Sequence, residues 1–283
     1  MTNTLLVDSH CHLSHPRFAT DTPQTLQRAA AAGVGACVVP GVDLASSLAA
    51  CALADAYPPA RYAVVIGVAV GVHPQEVVAA DRLGLTASVA ELRQLAAAPH
   101  VVAIGEIGLD FSRGGDRGLQ ARWLQAQLEL AAELHLPVII HSRDAEAEIR
   151  QQLGDWVAAV SDPPAVAGRH GVLHAYTGTG EMGLWACASG FALGAGGIAT
   201  FKREGELLRT LAELPSSHVV VETDAPYLAP EPVRGRRNEP AFARHVAACL
   251  ARQREEPVAA LTSHTTAAAL QLFPRLAALV EAA

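Results

Sequence analysis

Histidine and carboxylate side chains recur at the ends of short apolar runs, from the beginning of the chain to its end. His10 and His12 follow the first run, and Asp224 follows the last. The complete set is His10, His12, Glu106, His141, His174 and Asp224. A parallel barrel brings the carboxyl end of every strand to one rim and would gather all six residues there. A doubly wound open sheet does not explain why such residues follow both the first and the last run.

Eight apolar runs rich in β-branched residues predict eight strands. They are Leu5–Asp8, Ala36–Pro40, Val64–Val72, Val101–Glu106, Pro137–His141, Gly171–Ala175, Phe191–Gly196 and Val219–Thr223. The runs are mostly continuous rather than alternating, which is typical of parallel strands covered by helices.

The segments between these runs carry apolar residues at helical spacing. They are Thr22–Gly33, Leu44–Ala56, Val89–Ala97, Leu119–Leu134, Ala145–Leu153, Glu181–Ser189, Glu204–Leu214 and Ala241–Arg254. Eight strand–helix pairs predict an α/β fold, a (β/α)8 TIM barrel, with residues 1–283 as a single domain. Pro257–Leu272 is predicted as an extra helix after the barrel. Asp155–Arg169 and Pro230–Pro240 are predicted as loops.

Charge and cysteine usage narrow the function classes. The formal net charge of −7 disfavours binding of long duplex nucleic acid through contacts to many phosphates. Five widely spaced cysteines without a CxxC motif predict neither a disulfide framework nor a cysteine zinc site. The first residues form no basic leader, and no apolar run is long enough to span a bilayer. We therefore expect a cytoplasmic protein that does not bind a membrane.

The chemistry of the six side chains predicts a divalent metal site. His10 and His12 are two residues apart on a predicted strand and so point to one face. Glu106 at a barrel rim must be paired or bind a cation, and a salt bridge to Arg143 or Arg113 is the alternative. Some binuclear hydrolase sites are bridged by a carboxylated lysine, and Lys202 is the only lysine in this sequence. Glu106 is the more natural group to bridge two ions here.

The two remaining histidines and the last carboxylate complete the predicted set. His141 and His174 each end a predicted strand, and imidazole with carboxylate suits zinc, manganese or magnesium without choosing among them. Asp224 can bind one ion and also accept a proton from the attacking water. Glu222 faces the same way as Asp224 and is expected to lie behind a metal ligand. Asp110 is expected to order its loop.

An ordered set of motifs resembles the TatD family of metal-dependent deoxyribonucleases. The motifs are Asp8-Ser9-His10-Cys11-His12-Leu13, Gly71-Val72-His73-Pro74, Gly105-Glu106-Ile107-Gly108-Leu109-Asp110, His141-Ser142-Arg143-Asp144, His174-Ala175-Tyr176-Thr177-Gly178 and Glu222-Thr223-Asp224-Ala225-Pro226. The resemblance covers Val7 to about Phe273. It implies a TIM barrel of the amidohydrolase superfamily that hydrolyses phosphodiesters at a binuclear site.

The resemblance also implies residue roles. His10, His12, Glu106 and Asp224 would hold one of two divalent ions, and Glu106, His141 and His174 would hold the other. His73 matches a family histidine beside the substrate phosphate. The chain departs from the family at Ala175-Tyr176, where cysteine-phenylalanine is usual. This departure leaves His174 intact and bears on stacking or hydrogen bonding to a nucleotide.

We therefore predict a hydrolase that cleaves phosphodiester bonds, with single-stranded DNA or a DNA end as substrate and no stable protein partner. Asp224 and Glu106 are the predicted catalytic residues. His73, Arg143, Tyr176 and Arg203 are the predicted substrate-binding residues. Other candidates are the Arg234–Arg237 cluster for neighbouring phosphates and Phe201 or Tyr227 for stacking on a base.

Two other classes of protein remain open from the sequence. The same metals and barrel could hydrolyse a small-molecule amide or ester, because a fold does not fix its substrate. The chain could also bind a partner and keep metals for stability alone. Asp224 argues against this second alternative, since such a protein has no need for a carboxylate aimed at water.

Overall fold

The structure is a computed structural model, and it describes residues 5–160 and 169–283. Eight parallel strands pair in chain order to form one sheet. They are β1 Leu6–Asp8, β2 Val34–Pro40, β3 Val65–Val70, β4 Val101–Asp110, β5 Val138–Arg143, β6 Gly171–Leu173, β7 Phe191–Ala195 and β8 Val219–Val221. The predicted (β/α)8 TIM barrel is confirmed, and all eight predicted strands are present.

The barrel closes through the residues that follow β8 and β1. Beyond the last strand pair, Ser9 N donates to Val221 O at 3.0 Å, and Asp224 N donates to His10 O at 2.9 Å. Cys11 and Ala225 form a parallel bridge there. This seam of extended backbone lies at the carboxyl rim, where TIM-barrel active sites are built.

Helices cover the outside of the barrel. They are α1 Thr22–Ala31, α2 Leu44–Ala56, α3 Pro59–Tyr62, α4 Val77–Ala80, α5 Leu85–Leu95, α6 Arg117–Leu134, α7 Glu146–Ala159, α8 Gly180–Ala188, α9 Gly205–Glu213, α10 Ala243–Gln253, α11 Val258–Leu272 and α12 Pro274–Glu281. Asp43 and Ser46 form a capping box at the start of α2. Among the helices that these residues form, none is long and apolar enough to cross a membrane.

The core has two layers because neighbouring strand residues point to opposite faces. Cys37 and Val39 belong to the larger cluster between strands and helices, whereas Val38 belongs to the cluster inside the barrel. Leu272 and Leu276, from α11 and α12, join the inner cluster and are fully buried. These two helices therefore cover the end of the barrel opposite the seam, and α12 was missed by the sequence prediction.

Several predicted boundaries were wrong. Strand β4 continues past Glu106 to Asp110, and β5 continues past His141 to Arg143. The loop predicted over Asp155–Arg169 begins later, because α7 runs to Ala159; residues 161–168 lie outside the described part of the chain. The longer strands carry Glu106 and His141 within paired backbone rather than at its end.

Candidate metal centre

The seam between β1 and β8 positions the first three donor side chains. His10 and His12 lie beyond the end of β1, and Asp224 lies beyond the end of β8. The backbone bonds of the seam, including His12 N to Ala225 O at 2.7 Å, hold them in register. The two histidines were predicted to lie on the strand itself, and the Cys11–Ala225 bridge keeps their backbone paired all the same.

Four donor atoms form the first group. His10 Nε2 and His12 Nε2 are 3.2 Å apart. His12 Nε2 is 3.4 Å from Asp224 Oδ1 and 3.7 Å from Glu106 Oε2. His10 Nε2 is 3.5 Å from Glu106 Oε2 and 3.9 Å from Asp224 Oδ1. Tetrahedral ligands on metal bonds of about 2.1 Å would lie about 3.4 Å apart, so these spacings fit one ion.

The other oxygen of Glu106 belongs to a second group. Glu106 Oε1 lies 2.9 Å from His141 Nδ1 and 2.9 Å from His174 Nε2. These two nitrogens are 3.3 Å apart. His73 Nε2 lies 3.5 Å from the same oxygen, a contact that sequence reasoning missed. Each oxygen of Glu106 thus faces a different set of histidines, which is the arrangement of a carboxylate that bridges two ions.

Burial leaves the carboxylate of Glu106 in need of positive charge. Glu106 and His10 are buried, and Asp224 is mostly shielded from solvent. Within residues 5–160 and 169–283, Glu106 forms no salt bridge to Arg143 or Arg113, and its charged contacts are all histidines. Buried carboxylates need paired charge or a metal. The donor set of imidazoles and carboxylates fits a divalent ion such as zinc or manganese.

The electrostatics keep both carboxylates ionised. Burial raises the pKa of Glu106, but His174 and His73 outweigh it and hold that pKa well below its usual range. Burial likewise raises the pKa of Asp224, and His12 lowers it below the ordinary value. Burial lowers the pKa of His73 to about 4, so its imidazole is neutral near pH 7. Its Nδ1 accepts a hydrogen bond from Gln75 N, which leaves Nε2 as the N–H donor that faces the site.

Two further carboxylates stand behind the histidines. Asp110 Oδ2 lies 3.5 Å from His141 Nε2, while Oδ1 accepts hydrogen bonds from the backbone and hydroxyl of Ser112. Asp110 therefore orders its loop, as predicted, and also faces a donor histidine. Glu222 is fully buried, accepts a hydrogen bond from Ala175 N and lies 3.7 Å from His174 Nδ1. Carboxylates in such positions orient the imidazole that binds metal.

The predicted substrate-binding residues lie in different surroundings. Arg143 is exposed and lines a cleft of about 370 Å³ beside His174. Tyr176 also lines this cleft, but it is only 6% exposed and its hydroxyl donates to Thr179 O. The side chain of Arg203 is 78% exposed and pairs with Glu204. The structure brings His73 and Arg143 to the site and leaves Arg203 in a solvated ion pair.

The other candidate groups differ in the same way. Phe201 is buried beneath Arg234, whose guanidinium lies 4.0 Å from the ring centroid. Arg237 is committed to Asp21 through two hydrogen bonds of 2.7 and 2.8 Å. Tyr227 is 44% exposed, and its ring centroid lies 6.0 Å from that of His12. Of the three aromatic candidates, Tyr227 is the one placed at the rim with an accessible face.

A TIM barrel with these converging histidines and carboxylates at its carboxyl rim defines a metal-dependent hydrolase. The family model described as TatD related DNase matches residues 7–274. The chain belongs to this family, which confirms the resemblance seen in its motifs.

Individual relatives agree over nearly the whole chain. A 3'-5' ssDNA/RNA exonuclease TatD of Edwardsiella piscicida is 38% identical, covering 95% of this chain and 99% of that protein. An uncharacterized metal-dependent hydrolase, YabD, of Bacillus subtilis is 33% identical over 95% of this chain and 99% of its own. The crystal structure of YJJV, a TatD homolog from Escherichia coli, has a TM-score of 0.83 and 31% identity, covering 95% of this chain and 98% of its own.

Proposed function

We propose that this protein is a metal-dependent exonuclease that removes nucleotides from the 3' end of single-stranded DNA or RNA. The observation that carries the proposal is the division of Glu106 between two donor groups, with one oxygen facing each. Two ions held by a shared carboxylate suit the in-line displacement of a phosphodiester. The 3'-5' polarity and the single-stranded substrate come from the names of relatives such as the Edwardsiella piscicida exonuclease.

We propose two ions, with His10, His12, Glu106 and Asp224 holding one and Glu106, His141 and His174 holding the other. His73, whose Nε2 also faces Glu106 Oε1, lies beside the second position. When bound, such ions act as Lewis acids and lower the pKa of water. The donor set accepts zinc, manganese or magnesium.

The chain's own groups then do the remaining chemistry. Asp224 keeps its charge at neutral pH because His12 lowers its pKa, so its carboxylate can accept a proton from the attacking water. Glu106 stays ionised and fixes the two donor groups relative to each other. His73 and Arg143 border the site on the side where the phosphate would lie and would donate hydrogen bonds to its oxygens.

The cleft beside His174 would receive the terminal nucleotide. Arg143 is the exposed cation on its wall. Tyr176 shapes the wall, since its buried ring and bonded hydroxyl hold it against the loop to Thr179. We assign base stacking to Tyr227, which has an exposed ring next to His12. Arg203 is the weakest of the substrate-binding assignments, because its guanidinium already pairs with Glu204.

The alternative classes are less well supported. A small-molecule amide or ester hydrolase could use the same donor atoms, but the family and the curated relatives favour a nuclease. A protein that keeps metals only for stability would not need a carboxylate at Asp224 that is held ionised beside His12. We also propose that residues 1–283 act as one unit in the cytoplasm, where the five unpaired cysteines would stay reduced.

The test is cleavage of an end-labelled single-stranded DNA oligonucleotide with magnesium or manganese and again with chelator. Asp224→Asn is compared with Asp155→Asn, which makes the same chemical change at an exposed carboxylate on α7. We expect stepwise shortening from the 3' end that needs metal. Asp224→Asn should lower kcat by about a thousandfold or more, within the range for loss of a catalytic base with its share of metal binding.

Asp155→Asn should cleave like the parent chain, and metal analysis should show how many ions each protein holds. A parent chain that holds metal yet leaves DNA and RNA uncut would overturn the nuclease proposal and favour the small-molecule hydrolase. Shortening from the 5' end would overturn the polarity alone.

A further inference from the structure

A second cleft lies away from the metal centre and is rich in arginine. It has a volume of about 570 Å³ and opens between α1 and the start of α10. Arg28, Arg236, Arg237 and Arg244 line it, with Glu239 as the acidic residue of the lining. Four guanidinium groups at one cleft are unusual in a chain whose formal net charge is −7, and they need a local reason.

Two of these arginines build the walls. Arg28 donates three hydrogen bonds of 2.7 to 3.0 Å to the carboxylate of Glu239. Arg237 pairs with Asp21 and lies over the ring of Phe18 at 4.4 Å. These two ion pairs join α1 and the loop before it to the segment before α10, so the cleft has fixed sides.

The other two arginines carry charge that the protein does not neutralise. Arg236 and Arg244 are exposed, and neither forms an ion pair with any residue that the structure describes. Asp21 and Glu239 offset the charges of Arg28 and Arg237, which leaves an excess of two positive charges at the cleft. A planar guanidinium with free N–H groups matches the oxygens of a phosphate.

A continuous path of contacts joins this cleft to the metal centre. Tyr227 lies beside His12 at one end, and its ring centroid is 5.8 Å from that of His15. His15 Nδ1 accepts a hydrogen bond from Arg17 N, and Arg17 Nη1 donates to Pro226 O at 3.3 Å. Arg237 Nη1 then donates to Arg17 O at 2.6 Å. This path crosses the β1–β8 seam and places the exposed side chain of Arg17 between the two sites.

We propose that the arginine cleft binds backbone phosphates of the nucleic acid strand, several nucleotides away from the bond being cleaved. The inference rests on the proposed nuclease function and assigns the direction in which the strand leaves the metal centre, past Tyr227 and Arg17. A path built on few cations favours a single strand, because a duplex grip would need many more phosphate contacts than this acidic chain offers.

The experiment compares a long and a short substrate in the double variant Arg236→Ala/Arg244→Ala. The long substrate is a single-stranded oligonucleotide of about 16 nucleotides, the upper end of single-strand site sizes. The short one is bis(para-nitrophenyl) phosphate, which cannot reach from the metal centre to the cleft. We expect KM for the long strand to rise about fivefold, with kcat and the rate on the short ester unchanged.

Salt dependence gives a second readout. Losing two phosphate contacts should lower the slope of log KM against log salt concentration by about 1.4 for a single strand. The matched control is Arg209→Ala/Arg252→Ala, which removes two exposed arginines of α9 and α10 outside the cleft. The control should keep both the KM and the salt slope, and all variants should keep the melting temperature.

Binding separates this inference from the proposed function. Fluorescence anisotropy of the labelled strand on Asp224→Asn, with and without the two cleft substitutions, reports contact without cleavage. Weaker binding of the cleft variant supports the inference even if the parent chain cuts no DNA. Equal KM, salt slope and binding in the cleft and control variants would overturn it. If the two cleft substitutions weakened binding of a labelled short acidic peptide but not of DNA, the cleft would be assigned to a protein partner instead.

Discussion

Gly194 leaves the space that the Glu222 carboxylate occupies behind His174. A Cβ atom at Gly194 would overlap Glu222 Oε2, which is buried against that strand. Glu222 in turn accepts a hydrogen bond from Ala175 N and faces His174 Nδ1. A methyl group on β7 would therefore displace the group that orients a donor histidine, without touching any donor atom itself.

We predict that Gly194→Ala lowers metal affinity about tenfold to a hundredfold, the range for loss of a partner behind a metal ligand. Competition with a chromogenic chelator measures the affinity, and Glu222→Gln should reproduce part of the loss. Gly205→Ala is the control, because a Cβ atom there meets nothing within 4 Å. Equal affinities for the two glycine variants would show that Glu222 has no role in metal binding.

Protons compete with metal at the same nitrogens. Burial lowers the pKa of His174 and of His141, but Glu106 and Asp110 outweigh it, so both values lie above the ordinary one. Binding an ion must release these protons. We predict that apparent metal affinity rises with pH through the ordinary imidazole pKa of about 6.5 and continues to rise above it. Calorimetry in buffers of different ionisation enthalpy measures the protons released, and a pH-independent affinity would contradict the prediction.

At the scale of elements, the seam between β1 and β8 depends on a buried acid. Asp8 accepts hydrogen bonds from Thr223 N at 2.9 Å and from Thr223 Oγ1 at 2.7 Å. Burial raises the pKa of Asp8 from 3.8 to about 8, although these hydrogen bonds lower it. The folded protein thus holds the proton of Asp8 more tightly than the unfolded chain does.

The sign of the resulting pH dependence follows directly. The stabilisation from this proton is complete below pH 3.8 and is lost as the pH rises through about 8. In chelator-treated protein, Asp8→Asn should therefore reduce the fall in unfolding free energy over this range, because the amide imitates the protonated acid. Urea denaturation at several pH values measures it. If the free energy of unfolding had the same pH dependence in the parent chain and in Asp8→Asn, a group other than Asp8 would hold the proton.

The sequence predicted this element order well and its boundaries less well. Continuous β-branched runs identify parallel strands. Gly33 marks the end of α1 and Pro257 marks the start of α11, because glycine favours the position after a helix and proline the position at its start. The extension of β4 past Glu106 was missed because two glycines, Gly105 and Gly108, interrupt its apolar pattern. Helix α12 was missed because the Phe273-Pro274 junction suggests an end rather than a restart.

For the site, the sequence predicted the residues better than the contacts between them. The residue types at strand ends selected six candidate donors, and the structure brings all six together because barrel topology gathers those ends. Sequence spacing does not fix side-chain rotamers, so the contact between His73 Nε2 and Glu106 Oε1 was not foreseen. Partners such as Arg28 and Glu239 are 211 residues apart in the chain. Pairs at that separation depend on how a helix such as α1 meets a segment from the far end of the chain.

At the scale of the whole molecule, the barrel divides function from stability between its two ends. The carboxyl rim carries the donor groups, whereas α11 and α12 seal the opposite end with an apolar cluster. Leu276 of α12 is fully buried, and a Cβ atom at Gly67 of β3 would lie 3.0 Å from its Cδ1. A close fit at this end fixes the strands without contacting any group of the metal centre.

We predict that Leu276→Ala lowers the free energy of unfolding by about 3 kcal/mol, through lost burial and the cavity left beneath β3. Because the opposite rim keeps its hydrogen bonds, kcat/KM and metal content should match the parent chain at temperatures below the new transition. Urea denaturation and steady-state cleavage measure the two effects, with Leu48→Ala on the exposed face of α2 as control. A large fall in kcat/KM of Leu276→Ala, measured where the variant is still folded, would mean that the sealed end also sets the geometry of the metal centre.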